Sequence, residues 1–138
     1  MALEYSVLDQ EIITRLLKEK YDLNVTEVQK TELGSANCYR ISNGKNDYFL
    51  KEFQSKFLLE DLVREAQLLD HLAEKKIPVA QMIKTKAGEY AFEYEGHIIS
   101  LQEYVQGHGY GYNDFPKKYL SQTAAMLGKI HTALKKYS

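Results

Sequence analysis

The chain has 138 residues, 44% of them hydrophobic, which is enough for one compact domain or one lobe of something larger and too few for two full domains. A formal net charge of -1 argues against sequence-independent nucleic-acid binding, which needs a basic face, although local basic patches remain open, and no apolar run approaches the roughly 20 residues that cross a bilayer. A single cysteine, Cys38, excludes an internal disulfide and a cysteine-rich zinc site, and the N-terminus lacks a basic-then-apolar leader; the expectation is a cytoplasmic protein with neither membrane nor nucleic acid as partner.

SVLD at 6–9 has the form of a capping box, and Leu8, Ile12, Ile13, Leu16 and Leu17 follow at helical spacing, which predicts an amphipathic helix ending near Tyr21. From Val25 the pattern changes to short β-rich runs, VTEVQKTEL, NCYRIS and NDYFLKEF, punctuated by LGSAN and SNGKND. Asn43-Gly44 is a tight-turn dipeptide, so three strands in meander order are expected. KFLLEDLVREAQLLDHLAEKK then reads as a helix stopped by Pro78, with Leu58, Leu62, Leu69 and Leu72 on its stripe. Two or three further strands come from AQMIKT, EYAFEYEG and HIISLQEYV, around turn signals at residues 86–88 and at Glu95-Gly96. After the loop GHGYGYND a last helix is expected, with Asp114 as its cap, Pro116 in its first turn, and Leu120, Ala124, Leu127, His131 and Leu134 along one face.

One strand carries an anomaly. In YFLKEF at 48–53, side chains alternate, so Phe49, Lys51 and Phe53 share one face while Tyr48, Leu50 and Glu52 share the other. A lysine between two phenylalanines either snorkels along a half-covered surface or is held for a purpose, because an unpaired buried ammonium costs several kcal/mol. On the next helix Glu65 falls three residues after Leu62 and four before Leu69, which aims a carboxylate where the leucines are aimed. Two inward opposite charges that satisfy each other are a simpler arrangement than two separate anomalies.

A strand lysine paired to a glutamate on the following helix is also how protein kinases hold ATP phosphates. With this order of elements the chain resembles the aminoglycoside phosphotransferase and choline kinase superfamily, the protein-kinase-like enzymes that phosphorylate small molecules, and it resembles the front half of that family over nearly its whole length. The implied fold is α+β: a kinase-like N-lobe at 1–105, with an antiparallel sheet of about five strands, one packed helix and a preceding N-terminal helix, then at 106–138 a hinge linker and the first helix of an otherwise missing C-lobe. ELGSANCYRIS looks like the family's nucleotide-covering hairpin, which would lay Gly34, Ser35, Ala36 and Asn37 over the phosphates. The resemblance gives Lys51 the α- and β-phosphates and Glu65 the orienting of Lys51. By the same analogy the backbone carbonyl of Glu103 and the backbone N–H of Val105 hydrogen-bond adenine, with Gln102 at the back of the pocket.

Other conspicuous residues have plainer readings. Gly107, Gly109 and Gly111 form no G-x-G-x-x-G fingerprint and serve as linker, and Tyr110 and Tyr112 are solvent-facing loop tyrosines. His131 is a packed, hydrogen-bonded core histidine, while His71, His97 and His108 show no metal-ligand spacing. Cys38 has no sequence neighbour that marks an activated thiolate.

Phosphoryl transfer also needs a carboxylate at the attacking hydroxyl and oxygen ligands for magnesium. In the family these belong to an H-x-D-x-x-x-x-N loop and a later aspartate; here no histidine is followed two residues on by Asp, and Asp114-Phe115 continues into Pro116. The expectation is therefore the ATP-binding lobe of a small-molecule kinase, inactive alone, from a protein roughly twice as long. Its cofactors would be ATP and magnesium, its acceptor a small-molecule hydroxyl compound of the aminoglycoside, choline, homoserine or thiamine kind, and its exposed last helix a surface for self-association. The alternatives are a non-catalytic kinase-like interaction or spore-coat-type module, in which Lys51 and Glu65 form a structural ion pair, and an unrelated α+β binding domain.

Overall fold

A computed structural model describes residues 4–31, 36–107, 110, 113–135 and 137. The first helix, α1 (Gln10–Tyr21), begins one turn later than SVLD suggests: Asp9 is its cap, accepting the Ile12 N–H at 2.8 Å, and Ser6 is free for another task. It ends at Asp22 in the left-handed conformation, φ 53°.

Three strands follow as a meander, β1 (Glu27–Lys30), β2 (Asn37–Ser42) and β3 (Asp47–Glu52). The loop between β2 and β3 closes because Gly44 adopts φ +90° and the Asn43 side chain accepts the backbone N–H groups of Lys45 and Asn46. Helix α2 (Leu59–Glu74) comes next, then β4 (Met82–Ile83), β5 (Phe92–Tyr94) and β6 (His97–Glu103). Glu95 and Gly96 turn the β5–β6 hairpin with φ 48° and 81°, as a two-residue turn with both φ positive requires. The sheet is antiparallel, of six strands where about five were expected, in the order β1-β2-β3-β6-β4 with β5 also paired to β6. A 3-10 turn, Lys117–Tyr119, opens α3 (Leu120–Lys135), so that helix starts beyond the Asp114 and Pro116 expected to begin it. Among the described residues no helix is long and apolar enough to cross a membrane.

α1 and α2 cover the sheet, and α3 packs on α2 and the segment that follows it. α1 inserts Ile13, Leu16 and Leu17 against Tyr39, Ile41, Leu50, Ile99 and Leu101, the main core. α2 sets Leu62 and Ala66 against Met82, Ala91 and Ile98, beside Phe53. α3 packs Met126, Ile130 and Ala133 on Leu68, Leu72, Ile77 and Val79. The stripe expected to be apolar on α3 is thus the uncovered one, with Leu120 56% and Leu127 52% exposed. His131 lies exposed with it, which corrects the expected core histidine: the line that α3 buries is offset from that stripe.

Candidate functional site

The register of the three central strands aligns Cys38, Lys51 and Ser100 across β2, β3 and β6, and Arg40, Phe49 and Gln102 beside them. Cross-strand partners share a face, so this row forms the floor of a hollow. At the end of β6 a cavity of about 290 Å³ opens, lined by Phe49, Lys51, Ala80, Gln102, Glu103, Tyr104 and Val105. That is near the lower bound of ligand pockets, roughly 300 Å³, and suits a planar heterocycle better than a large substrate.

The back of the hollow is tied down. The Gln102 side chain donates to Ala80 O at 2.6 Å, and Glu103 N–H donates to Gln81 O at 3.0 Å while Gln81 N–H returns to the Glu103 carboxylate at 3.3 Å. Gln81 also donates to Asp70 on α2 at 3.0 Å, and Tyr90 O–H donates to the other oxygen of Asp70 at 2.5 Å. That last hydrogen bond, ahead of partial burial, raises the Tyr90 pKa above its ordinary value. On the outer rim Tyr104 is steadied by the Arg40 guanidinium, 4.5 Å from its ring centroid, and Arg40 is itself gripped by Asp47 at 2.5 and 3.2 Å. Val105, 68% exposed, makes no hydrogen bond from its N–H to any described residue, which leaves a donor available at the mouth.

Lys51 is half-buried, its ammonium 5.8 Å from the Phe49 ring centroid. Beside it burial pushes the Cys38 thiol up despite the opposing charge of Lys51, so Cys38 is no activated nucleophile. The expected ion pair is absent: Glu65 is exposed, and no salt bridge joins it to Lys51. The line that α2 lays against the sheet runs through Leu62, Ala66 and Leu69, with Glu65 at its border. A small residue, Ala66, sits at the contact, and nothing there repays the desolvation of a carboxylate. The structural ion pair of the non-catalytic alternative fails on the same observation.

The structure therefore brings Lys51, Gln102, Glu103 and Val105 to one cavity and leaves Glu65 out of its lining. Ala36 and Asn37 are buried at the start of β2, Asn37 donating its side-chain amide to Glu4 O at 2.9 Å. Gly34 and Ser35 lie outside the described residues, as do His108, Gly109, Gly111 and Tyr112. Among the described residues there is no group of three or more His, Cys, Asp or Glu that could hold a metal ion.

The most demanding charge in the protein was missed from sequence. Glu52, next to Lys51, is 0% exposed. Its carboxylate accepts the Ser6 O–H at 2.5 Å and the Val7 N–H at 2.9 Å, and His97 Nδ1 lies 3.0 Å away without making a hydrogen bond. The Ser6 oxygen also meets Tyr39 O–H at 2.6 Å and Leu8 N–H at 3.1 Å. A hydroxyl that donates once and accepts twice is saturated. The signal was present in YFLKEF, because the alternation that singles out Lys51 puts Glu52 on the face with Tyr48 and Leu50.

Comparison with known proteins matches this frame. The profile of the phosphotransferase enzyme family, APH, matches residues 27–137, which take in every strand and the two later helices. A homoserine kinase of Zymomonas mobilis is 28% identical over 142 residues, covering 100% of this chain and 43% of that protein. An uncharacterized Synechocystis protein is 27% identical over 139 residues, covering 96% and 38%. The chain thus spans about two fifths of the length of these relatives. Among solved structures, a spectinomycin phosphotransferase in complex with ADP and spectinomycin has a TM-score of 0.77 at 17% identity, over 93% of this chain and 39% of that one. An amicoumacin kinase in complex with AMP-PNP, Ca2+ and Ami has a TM-score of 0.79 at 16% identity, over 95% and 41%. Both are likenesses of fold. With a six-stranded antiparallel sheet, α2 packed on it and a profile match over most of its length, the chain belongs to the phosphotransferase enzyme family.

Proposed function

We propose that this chain is the ATP-binding lobe of a small-molecule kinase, which transfers the γ-phosphoryl group of ATP to a hydroxyl acceptor of the aminoglycoside, choline or homoserine kind. The observation that carries the reading is the cavity of about 290 Å³ that unites Lys51 on β3 with Gln102, Glu103 and Val105 at the end of β6. Each contributes a different contact. Val105 N–H and Glu103 C=O offer a donor and an acceptor to adenine, Gln102 closes the back, Tyr104 and Phe49 give apolar walls, and Lys51 supplies a positive charge for the α- and β-phosphates. Asn37 stands at the start of β2, on the approach to Lys51 from the hairpin. Residues 1–105 form this lobe, and 106–138 the linker and the first helix of a second lobe. Solved relatives holding ADP and AMP-PNP support the choice of ligand.

Titration of the chain with ADP, followed by calorimetry and by thermal melting, tests the proposal, since a ligand of the folded state raises its stability by mass action. Lys51→Ala removes a charge-assisted contact of about 1.5–3 kcal/mol, so ADP affinity falls roughly 10- to 100-fold. A parent chain that ignores ADP, or a Lys51→Ala variant that binds as well as the parent, refutes the assignment.

A further inference from the structure

Residues 4–8 have no helix or strand of their own, yet they tie together several elements on the face of the sheet opposite Lys51. The Glu4 carbonyl accepts from Asn37 at the start of β2. Its carboxylate accepts the Ser55 hydroxyl at 2.8 Å and the Ser55 N–H at 3.2 and 3.3 Å, just past the end of β3. His97, 7% exposed at the start of β6, stands between two carboxylates, with Nε2 3.3 Å from Glu4 and Nδ1 3.0 Å from Glu52. Ser6 and Val7 hold Glu52 from the opposite side, and Tyr39 on β2 closes on Ser6. Tyr94 is the register partner of His97 on β5, and the charge of Lys56 reaches Glu4.

These anchors fall at one end of the sheet. Asn37 and Glu52 are direct register partners on β2 and β3, and Lys51 precedes Glu52 by one residue, about 3.3 Å along the strand. Pulling on Glu52 therefore moves Lys51, and pulling on Glu4 moves Asn37. A helix N-terminal segment tied only for stability could have been held by apolar contacts. Here it spends a fully buried carboxylate, and buried charge is held in few arrangements because each donor must stay in place.

We infer that residues 4–8 are a positioning strap for the nucleotide site, with Ser6, Glu52 and His97 as its anchor, setting where Asn37 and Lys51 stand relative to bound phosphates. The inference rests on the nucleotide-binding reading. None of the strap residues lines the cavity, so their effect on binding passes through Asn37 and Lys51.

The test compares the parent with Ser6→Ala, Ser6→Thr, Glu4→Gln and Lys51→Ala, each in the 138-residue chain, by ADP affinity well below the melting midpoint and by the midpoint itself. Ser6→Ala weakens ADP binding by about fivefold or more, the lower end of coupling between linked sites, and Ser6→Thr, which keeps the hydroxyl, returns it to within about twofold. Glu4→Gln alters a side chain that is 38% exposed, so it keeps the fold if Ser6→Ala does not, and it weakens ADP in the same direction. Variants that lower the midpoint while binding ADP like the parent overturn the strap and make it a structural tie, and Lys51→Ala still losing affinity then leaves the nucleotide reading standing. A parent that binds no ADP overturns both.

Discussion

Neighbouring residues of one strand should respond oppositely to truncation. Glu52→Ala removes a carboxylate that is 0% exposed and strands the Val7 N–H, while the Ser6 hydroxyl can turn to Leu8 O at 3.4 Å and His97 Nδ1, which makes no hydrogen bond to Glu52, has none to lose. One buried donor left unpaired, at about 1–3 kcal/mol, and the cavity left by a truncated buried side chain, at about 2 kcal/mol, together give about 3–5 kcal/mol. At roughly 4 °C per kcal/mol for a chain of this size, the melting midpoint falls by about 12–20 °C. Lys51→Ala removes a half-exposed ammonium with no carboxylate partner among the described residues and costs under about 1 kcal/mol. Urea unfolding followed by circular dichroism, with unchanged m-values, measures both. A Glu52→Ala loss below about 1 kcal/mol, or one no larger than that of Lys51→Ala, refutes the reasoning.

Leu62, 0% exposed beneath α2, should cost about 2–5 kcal/mol as Leu62→Ala, whereas Leu127→Ala, at a site 52% exposed, stays within about 0.5 kcal/mol; equal urea midpoints would contradict the packing of α2 and α3. Asp9→Ala removes the α1 cap at a cost of about 1 kcal/mol, and Asp9→Ser restores most of it, read from the same curves. Glu4 titrates below its usual value near 4.5, chiefly because the Ser55 hydroxyl and then the Ser55 N–H donate to its charged form. With the folded pKa depressed, that stabilisation is whole above pH 4.5 and fades as pH falls through the folded value. Stability measured across that acid range should therefore fall less steeply in Glu4→Gln than in the parent, and identical slopes would exclude the contact.

Local pattern was sufficient for the frame. The 3.6-residue period of α1 and α2, the alternation of β2, β3 and β6, and Asn43-Gly44 and Glu95-Gly96 as turns are all properties of residues close in sequence, and together they place Lys51 mid-strand and Gln102, Glu103 and Val105 at a strand end. That β3 and β6 pair, joining those residues in one cavity, was decided by the tertiary structure, because pairing across fifty residues leaves no mark in composition.

Tertiary structure decided where the charges went. Spacing put Glu65 near the buried stripe of α2, but a helix can turn by a fraction of a step, and burial of Ala66 leaves that carboxylate in solvent. His131 was misplaced by more, about 100° or one full residue step from Ile130, because the covered line of α3 is Met126, Ile130 and Ala133. Glu52 is the converse case: its face was legible, but the donors that make its burial tolerable come from Ser6, Val7 and His97, as many as 46 residues away. Sequence periodicity says which side of an element a residue occupies. What meets it there is set by the packing of distant segments, and for a buried charge that partner is the larger part of the free energy.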